Sequence, residues 1–503
     1  MRVSMPTTRH RIEFGDFQTP DDLALEICRF ICERGIQPKT LIEPTCGKGS
    51  FIIAGLEVFN GLKRIIGLDI NRDYLREVAE RIQKSSSSKV ELLNEDIFGV
   101  DWNSKFADVS QPILVIGNPP WVTNSQLGVF DSANVPRKSN FQADKGLDAL
   151  TGKSNFDISE WMLLRICEWA QNKQVVVAML CKTAVARKIL RHVWKRNLNL
   201  GDFGIYNIDA KRHFGVAVSA CLFVCKGTNA AAPKQCNVFN GFTVKNHTSL
   251  IGMHKSELLA DIQKYDKWAF LDGPEEHYKW RSGVKHDCSA VMEFVCEPDG
   301  LKNGLGEICD IEPEFLYPLA KGSDVAQNRQ GSHSRWVLVT QKETSEDTRF
   351  ISHLAPKTWD YLLGHAHYLD KRKSSVYKGR PRFCLFGIGD YAFAGWKVAV
   401  CGLYKHLHFS VAGPCEGKPT MLDDTCYFIP CKTEDEAVLL SEILNSQPAK
   451  QFLTSLIFWD SKRPITSGIL QRLNLVALAH HLGKNAEFEE YFDKTLFDMV
   501  GSS

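Results

Sequence analysis

Regular alternation of short apolar runs and helical patterns is the feature that most constrains the fold of this chain, and it occupies residues 20–226. An opening helix is predicted at 21–34, with Thr19 as its cap and Pro20 at its first position. Helical periodicity predicts further helices at 71–84, 156–170 and 183–197. Runs rich in β-branched residues predict six buried strands of a parallel sheet, at 40–46, 63–70, 89–96, 111–118, 174–181 and 217–225. The sequence therefore predicts an α/β, Rossmann-like fold with a doubly wound sheet.

The second half of the chain lacks this alternation. Small residues and a proline at 226–235 have the composition of a linker, and the residues that follow mix glycine, aromatic and charged side chains with weak periodicity. Only two helices are clearly predicted there, at 434–445 and 448–457. We therefore predict two domains, 1–230 and 231–503, the second with an irregular α+β structure.

Charge and composition exclude several classes of protein. The chain has 61 Lys and Arg against 59 Asp and Glu, so any binding to a polyanion must use local patches. No apolar run approaches the roughly 18 residues that span a bilayer, and the N-terminal residues do not have the pattern of a signal peptide. The 16 cysteines include no CxxC pair, and the two His-x-His pairs at 365–367 and 406–408 have no further ligands. We expect a cytoplasmic protein with reduced thiols, without a membrane partner and without a metal site.

Acidic residues and glycines follow three successive predicted strands at the point where each strand ends. Glu43 precedes Gly47 and Gly49, Asp69 ends the second strand, and Asp96 ends the third. Glycines allow a ligand to approach the backbone closely, and a carboxylate about twenty residues further on can accept the hydroxyls of a ribose. Because the carboxyl ends of parallel strands lie at one edge of a sheet, these residues predict a nucleotide-binding site.

The fourth predicted strand ends in the tetrapeptide NPPW at 118–121. Pro119 and Pro120 make the loop rigid, Asn118 offers a side-chain carbonyl, and Trp121 offers a large flat face. An isolated tetrapeptide of this kind would also suit a strand that ends in a Pro-Pro turn with a packing tryptophan. Its position beside the predicted nucleotide site favours a catalytic loop.

These motifs and their order resemble those of the DNA methyltransferases that use S-adenosyl-L-methionine to methylate amino groups. The resemblance is to the adenine-N6 class with gamma-type motif order, found in bacterial and archaeal restriction–modification systems. It covers 14–226 closely, through FGDFQTP (14–20), EPTCGKG (43–49), the two strand-end aspartates, NPPW, KSNFD (153–157) and HFGVAVSACLF (213–223). Tyr is the commoner aromatic after NPP, so Trp121 departs from the usual pattern. The resemblance implies that 1–230 is the catalytic domain and 231–503 a DNA target-recognition domain.

The resemblance also implies roles for individual residues. The target adenine is flipped out of the duplex and stacked by Trp121, with Phe214 as a second aromatic. Its amino group donates to the side-chain carbonyl of Asn118 and to the backbone carbonyl of Pro119, so that the nitrogen lone pair is aimed at the methyl group. The cofactor is expected to contact Thr19, Glu43, Thr45, Gly47, Gly49, Asp69, Asp96 and Phe156.

A basic stretch in the second half is a candidate for contact with the DNA backbone, although a solvated loop is the alternative. Two segments rich in glycine and aromatic residues, at 386–405 and 422–430, are similar to recognition regions of the same methylases. The partner implied is double-stranded DNA, with a cognate restriction endonuclease as a second candidate partner, and we expect a monomer. The basic residues are Lys371, Arg372, Lys373, Lys378, Arg380 and Arg382.

Two alternatives remain open from the sequence. Methyltransferases that act on protein glutamine or ribosomal RNA also carry NPP-aromatic loops, but their usual size leaves the second half of this chain without a role. A DNA-binding module that has lost catalysis would keep the fold, but the intact NPPW loop and the intact strand-end acids argue against it.

Overall fold

The structure is a computed structural model that describes residues 17–83, 89–121, 157–329 and 334–491. It divides into two compact units, Met1–Ile262 and Gln263–Ser503. The division lies beyond the boundary expected at residue 230. The linker-like stretch is a loop between two strands of one sheet, because one strand ends at Gly227 and the next begins at Gln235. Small residues and proline suit such a connection as well as they suit a linker.

In its described residues, the first unit contains ten strands, with helices before the first strand and between later ones. The helices are α1 (Asp21–Glu33), α2 (Ser50–Val58), α3 (Arg72–Gln83), α4 (Trp102–Lys105), α5 (Ile158–Ala170), α6 (Thr183–Lys195) and α7 (Ala210–Phe214). The strands are β1 (Thr40–Glu43), β2 (Arg64–Asp69), β3 (Val90–Asn94), β4 (Ile113–Gly117), β5 (Val175–Lys182), β6 (Leu200–Ile208), β7 (Ala220–Gly227), β8 (Gln235–Asn240), β9 (Ser249–His254) and β10 (Glu257–Leu259).

All ten strands form one sheet in the order β10-β9-β8-β6-β7-β5-β4-β1-β2-β3. Strands β1 to β5 are mutually parallel, which brings the carboxyl ends of β1, β2, β3 and β4 to one edge. The predicted α/β, Rossmann-like fold is therefore confirmed. The prediction that every strand is parallel is wrong for β7, which runs antiparallel to β5 and β6. A run buried on both faces is apolar whichever way it points, so composition does not reveal strand direction.

Helix α1 shows how the sequence builds this layer. Its apolar residues recur at helical spacing, and Leu23, Ala24 and Ile27 are fully buried in the core beneath the sheet. Burying each side chain of Leu or Ile size stabilises the fold by about 1.5–3 kcal/mol. The predicted cap is wrong by one residue: Pro20 is the N-cap position, and no side chain caps the helix. Thr19 lies one residue earlier.

Where the structure describes it, the second unit has two smaller sheets and short helices, which fits the predicted irregular α+β structure. One sheet has the order β11-β19-β16-β17 and the other β13-β12-β15-β14-β18. The strands are β11 (Arg281–Ser282), β12 (Glu293–Glu297), β13 (Gly300–Asn303), β14 (Leu316–Ala320), β15 (Arg335–Leu338), β16 (Trp396–Cys401), β17 (Ser410–Ala412), β18 (Met421–Leu422) and β19 (Cys426–Cys431). The helices are α8 (Ile262–Trp268), α9 (Ser289–Met292), α10 (Gly322–Ala326), α11 (Ile351–Leu354), α12 (Pro356–Gly364), α13 (Ala366–Leu369), α14 (Glu434–Asn445), α15 (Gln447–Leu456), α16 (Ser467–Leu470) and α17 (Leu475–His481). Helix α8 begins at the last residue of the first unit.

Among the helices described, none combines the length and apolar character needed to cross a bilayer. In the described residues, no three His, Cys, Asp or Glu side chains gather as a metal-binding group. The 16 cysteines are all free thiols.

Candidate active site

The site begins with the loop between β1 and α2, whose shape depends on two glycines. Gly47 and Gly49 both have positive φ, +48° and +74°. A Cβ atom on Gly47 would lie 2.5 Å from Oε1 of Gln18, and one on Gly49 would lie 2.8 Å from the side chain of Val78. Side chains are thus excluded for two reasons, the left-handed backbone and the lack of space. At these two positions the loop therefore presents backbone without side chains at the carboxyl edge of the sheet.

Two polar groups of this loop are buried without a partner. Glu43, at the end of β1, is 3% exposed, and its Oε2 atom has no hydrogen-bond partner. The hydroxyl of Thr45 is also buried and has no hydrogen-bond partner. Burial raises the pKa of the Glu43 carboxyl well above its usual value, and the nearby carboxylate of Asp69 raises the same pKa further. Buried polar groups are normally paired, so these two oxygen atoms are available to form hydrogen bonds with a ligand.

Asp69 lies where the sequence predicted it, at the end of β2. Its Oδ2 atom accepts from the backbone N–H of Gly47 at 2.8 Å, and its Oδ1 atom accepts from that of Asn71 at 2.8 Å. The carboxylate is thereby fixed against the glycine loop. The neighbouring Ile70 is an exposed apolar side chain at the same edge. Sequence reasoning missed Ile70, although an isoleucine directly after a strand-end acid was a usable signal.

Three other residues predicted to contact the cofactor are Asp96, Thr19 and Phe156. Asp96 follows β3 and caps the short 3-10 turn Ile97–Gly99 by accepting from the N–H of Phe98 at 3.0 Å. Thr19 contributes its backbone carbonyl, which accepts from the hydroxyl of Ser50 at 2.7 Å. Phe156 lies outside the described residues.

The segment before α1 ties the glycine loop in place. The side chain of Gln18 accepts from the N–H of Lys48 at 2.9 Å, and the adjacent carbonyl of Thr19 receives the Ser50 hydroxyl already described. Both bonds join the FGDFQTP motif to the loop between β1 and α2. The sequence analysis assigned no role to Gln18 or Ser50, because a hydrogen bond that joins distant segments leaves no local pattern.

Asn118 is held in one orientation at the end of β4. Its Nδ2 atom donates to the backbone carbonyl of Phe17 at 2.8 Å. Its Oδ1 atom is buried and has no hydrogen-bond partner. Because the amide nitrogen is engaged, the carbonyl oxygen is the atom left to accept a further hydrogen bond. Phe17 thus joins Gln18 as a residue of the FGDFQTP motif that holds the candidate site in place and that the sequence analysis gave no individual role.

Three aromatic rings meet beside this amide. Trp121 is 4% exposed and lies 5.9 Å from Phe17 and 5.1 Å from Phe214, measured between ring centroids. The Trp121 and Phe214 planes are inclined by 69°, an edge contact. Pro119 is buried and Pro120 partly buried between Asn118 and this cluster. The structure therefore brings together the loop residues and the second aromatic that the sequence placed about a hundred residues apart.

The basic stretch of the second unit divides into two groups. Arg372 is used internally: it donates to the carbonyl of Cys384 at 2.7 Å, and its guanidinium lies 3.9 Å from the Tyr377 ring centroid. Arg382 is exposed but forms an ion pair of 2.6 Å with Asp370, just outside the basic run. In the described part of the chain, the other four cations are exposed and form no ion pair. These are Lys371, Lys373, Lys378 and Arg380.

The two segments similar to recognition regions contain core strands. β16 falls within 386–405, and all of β19 except its last residue falls within 422–430. The two strands pair antiparallel, with Trp396 opposite Cys431 and Cys401 opposite Cys426. Most of their residues are buried. The strands themselves are therefore part of the core, and exposed residues of these segments, such as Phe386, lie outside the strands.

Comparison with known proteins relates this geometry to two methyltransferases. The chain is 46% identical over 469 residues to the Type II methyltransferase M.NspV of Nostoc sp. (strain ATCC 29411 / PCC 7524), a match that covers 93% of this chain and 98% of that protein. It is 31% identical over 132 residues to the Type II methyltransferase M.CvrRI of Paramecium bursaria Chlorella virus XZ-6E, which covers 26% of this chain and 31% of that protein.

A solved structure agrees in fold. The Type IIL restriction-modification enzyme MmeI in complex with DNA aligns with a TM-score of 0.51 and 12% identity, over 92% of this chain and 65% of that one. At this identity the likeness concerns the fold alone. No family model matches the sequence. The relation to M.NspV, however, runs through nearly the whole of both proteins, and it includes the glycine loop, the strand-end acids and the NPPW loop within its span, so this chain belongs to the Type II methyltransferases.

Proposed function

We propose that this protein transfers a methyl group from S-adenosyl-L-methionine to the N6 amino group of an adenine flipped out of duplex DNA, as the modification enzyme of a restriction–modification system. The observation that carries the proposal is the Oδ1 atom of Asn118, which is buried and has no partner while Nδ2 of the same amide is engaged. A buried acceptor without a donor is unfavourable by about 1–3 kcal/mol. An incoming amino group removes that penalty.

The chemistry follows from two acceptors on one loop. Asn118 Oδ1 and the backbone carbonyl of Pro119 would each accept one hydrogen of the exocyclic amino group. With both hydrogens engaged, the nitrogen lone pair is withdrawn from conjugation with the ring and points toward the methyl donor. Such a displacement depends on position and on preorganised acceptors more than on a strong base.

The aromatic cluster supports a flipped base, and it must open to receive one. A base stacked between two rings requires about 7 Å between their planes, twice the usual contact distance of about 3.5 Å. Trp121 and Phe214 are only 5.1 Å apart between centroids. Phe214 ends the short helix α7, which is followed by Gly215 at φ +72°, so a small shift of this end would separate the rings. Unpairing and unstacking the target base is the further energetic requirement.

The residues present fit S-adenosyl-L-methionine. Glu43 Oε2 and the Thr45 hydroxyl are buried and unpaired at the place proposed for its methionine end, with Thr19 beside them. Asp69 would receive the ribose hydroxyls and Asp96 the adenine amino group, at the ends of the next two strands. Bound there, the cofactor supplies an electrophilic methyl group. Gly47 and Gly49 keep the approach open, and Ile70 offers an apolar surface.

For the second unit we propose recognition of double-stranded DNA. Four exposed cations without ion pairs among the described residues suit phosphate contacts, which position a protein on DNA without reading its sequence. The fold shared with MmeI, which was solved in complex with DNA, supports the same role. A cognate restriction endonuclease and a monomeric state belong to this proposal.

Incubation of the purified protein with labelled S-adenosyl-L-methionine and unmethylated DNA tests the proposal. We expect N6-methyladenine when the digested nucleosides are analysed by mass spectrometry. Methylcytosine would replace adenine by cytosine as the target. Label found only in RNA or protein would favour the glutamine or ribosomal RNA alternative.

The Asn118→Ala variant tests the residue that carries the proposal. Removing one preorganised group that acts in the transition state lowers kcat by roughly a hundredfold to a thousandfold. Cofactor affinity, measured by calorimetry, should remain close to that of the wild type, because Asn118 contacts the base. Asn103→Ala, an exposed amide on α4, is the matched control and should leave both quantities unchanged. A normal rate in Asn118→Ala would remove the amide from the mechanism.

A further inference from the structure

Lys182 occupies a position at the active edge that no motif assigned. It is the last residue of β5, which runs parallel to β4 with Gly117 opposite Met179. Both strands therefore end at the edge from which the NPPW loop starts. The ammonium of Lys182 donates to the backbone carbonyl of Trp121 at 2.9 Å and to Oδ2 of Asp157 at 2.6 Å. One side chain thus joins the end of the catalytic loop to the start of α5.

Asp157 is itself rigidly held. Its side chain is 6% exposed. Its Oδ1 atom caps α5 by accepting from the backbone N–H of Ser159 at 3.1 Å and from the hydroxyl of the same residue at 2.5 Å. The second oxygen is the one that meets Lys182. The ammonium is consequently placed by a capped helix terminus, and it has little freedom to follow a displaced loop.

The consequence for the loop is that it is anchored at both ends. At the first end, the side chain of Asn118 is bonded to the carbonyl of Phe17. At the second end, the carbonyl of Trp121 is bonded to Lys182. Fixing the peptide of Trp121 fixes the direction in which its indole leaves the backbone, and this ring is the proposed stacking surface for the base.

We propose that Lys182 is a positioning residue for methyl transfer, acting through the Trp121 carbonyl to hold the aromatic platform and the Asn118 amide in register. The inference rests on the proposed function of the NPPW loop. Displacing a reacting group by about 1 Å can lower a rate by roughly a hundredfold, so loss of the anchor should appear mainly in the chemical step.

The chain offers a matched control nearby, on α6 and α5. Lys188 and Glu160 form an ion pair of 2.6 Å between α6 and α5, and the Glu160 side chain is 3% exposed. Distance and carboxylate burial therefore match the Lys182–Asp157 pair. Within the described residues, Lys188 makes no hydrogen bond to the NPPW loop. If Lys182 only tied neighbouring elements together, as Lys188 does, replacing either lysine should have the same effect on the rate.

The test compares Lys182→Met with Lys188→Met in single-turnover methylation of unmethylated DNA. We expect the rate in Lys182→Met to fall roughly tenfold to a hundredfold, with little change in KM for DNA or in cofactor affinity. Lys188→Met should retain a rate close to that of the wild type. Lys182→Arg keeps a charged donor and should restore part of the rate.

A second pair of variants guards against simple misfolding. Lys182→Met combined with Asp157→Asn leaves no unpaired buried carboxylate, and Lys188→Met combined with Glu160→Gln does the same for the control. The double variant Lys182→Met with Asp157→Asn should still methylate slowly. Its melting temperature should equal that of Lys188→Met with Glu160→Gln. Equal rates in the two double variants, or equal losses in the two single variants, would overturn the proposal.

The readout separates this inference from the function on which it rests. Incorporated methyl groups are counted whatever base receives them, and nucleoside analysis of the same samples identifies the base. A product other than N6-methyladenine would contradict the proposed target, while the ratio of the Lys182→Met and Lys188→Met rates would still decide the role of Lys182.

Discussion

Glu43→Gln is expected to weaken binding of S-adenosyl-L-methionine and, at the same time, to stabilise the protein without cofactor. The carboxyl is 3% exposed, its Oε2 atom has no partner, and burial holds its pKa well above the usual value. An ionised carboxylate in this setting is unfavourable until a cation meets it, and the ammonium of the cofactor's methionine end is the cation proposed. Glutamine keeps the shape and removes the charge.

The expected magnitude follows from one charge-assisted hydrogen bond. Such a bond is worth about 1.5–3 kcal/mol, and its loss raises Kd by about tenfold to 150-fold. The sign of the stability effect follows from the raised pKa of Glu43. Between the unfolded and the raised folded pKa, the folded protein binds more protons, so this group makes stability fall as pH rises through that window. The stabilisation from Glu43→Gln should therefore be larger at neutral than at mildly acid pH.

Calorimetry with the cofactor and thermal denaturation without it measure the two effects on the same protein. Wild-type affinity should also rise with pH through the raised pKa of Glu43, and this dependence should disappear in Glu43→Gln. Glu57→Gln removes an exposed carboxylate paired with Arg29 on the same unit and should change affinity little. Unchanged cofactor affinity in Glu43→Gln, or a lower melting temperature at neutral pH, would refute the reasoning.

Three further predictions concern the basic stretch and the glycine loop. Arg372→Gln should lower the melting temperature more than it weakens DNA binding, because this guanidinium donates a hydrogen bond to the carbonyl of Cys384. Gly49→Ala should lower the free energy of unfolding by about 2–5 kcal/mol through strain and overpacking, and Gly35→Ala by about 1–2 kcal/mol through strain alone, because only the first meets a neighbouring side chain. Equal losses in denaturant titrations would reject that distinction. Glutamine at each of four exposed cations should weaken binding to all DNA sequences alike and reduce the slope of log K against log salt by about one per lost contact, which anisotropy titrations measure and a sequence-dependent loss would contradict. These cations are Lys371, Lys373, Lys378 and Arg380.

The strands of the first unit were predictable where burial is continuous. β4 and β5 are buried along nearly their whole length, and their sequences are uninterrupted apolar runs. β6 was missed because its sequence contains two glycines and Asp202, and the strand bulges there with Asp202 at φ +49°. β8 and β9 are as long as β2, and they and the shorter β10 were missed because they follow a stretch with linker composition. Local composition therefore predicts continuous cores well and irregular strands poorly.

Site residues could be predicted from the sequence only where they lie beside a local motif. Asp69, Asn118 and Trp121 lie at strand ends beside recognisable motifs, so sequence order alone located them. Lys182 and Gln18 act through hydrogen bonds to distant residues, and no local pattern announces such bonds. The basic stretch shows the converse error. A count of positive side chains could not reveal which of them bond the chain's own carbonyls and carboxylates.

The three strands that extend the sheet determine where this protein can be divided. β8 pairs with β6 along five residues, and Phe239 of β8 stacks on Tyr206 of β6 with ring centroids 4.8 Å apart. A fragment cut at residue 230 would leave β6 as an open edge with unpaired N–H and C=O groups, the kind of edge that recruits other chains. Exchange of the second unit between relatives should therefore join the chains after Ile262, so that the transplanted part leaves the sheet of the first unit complete.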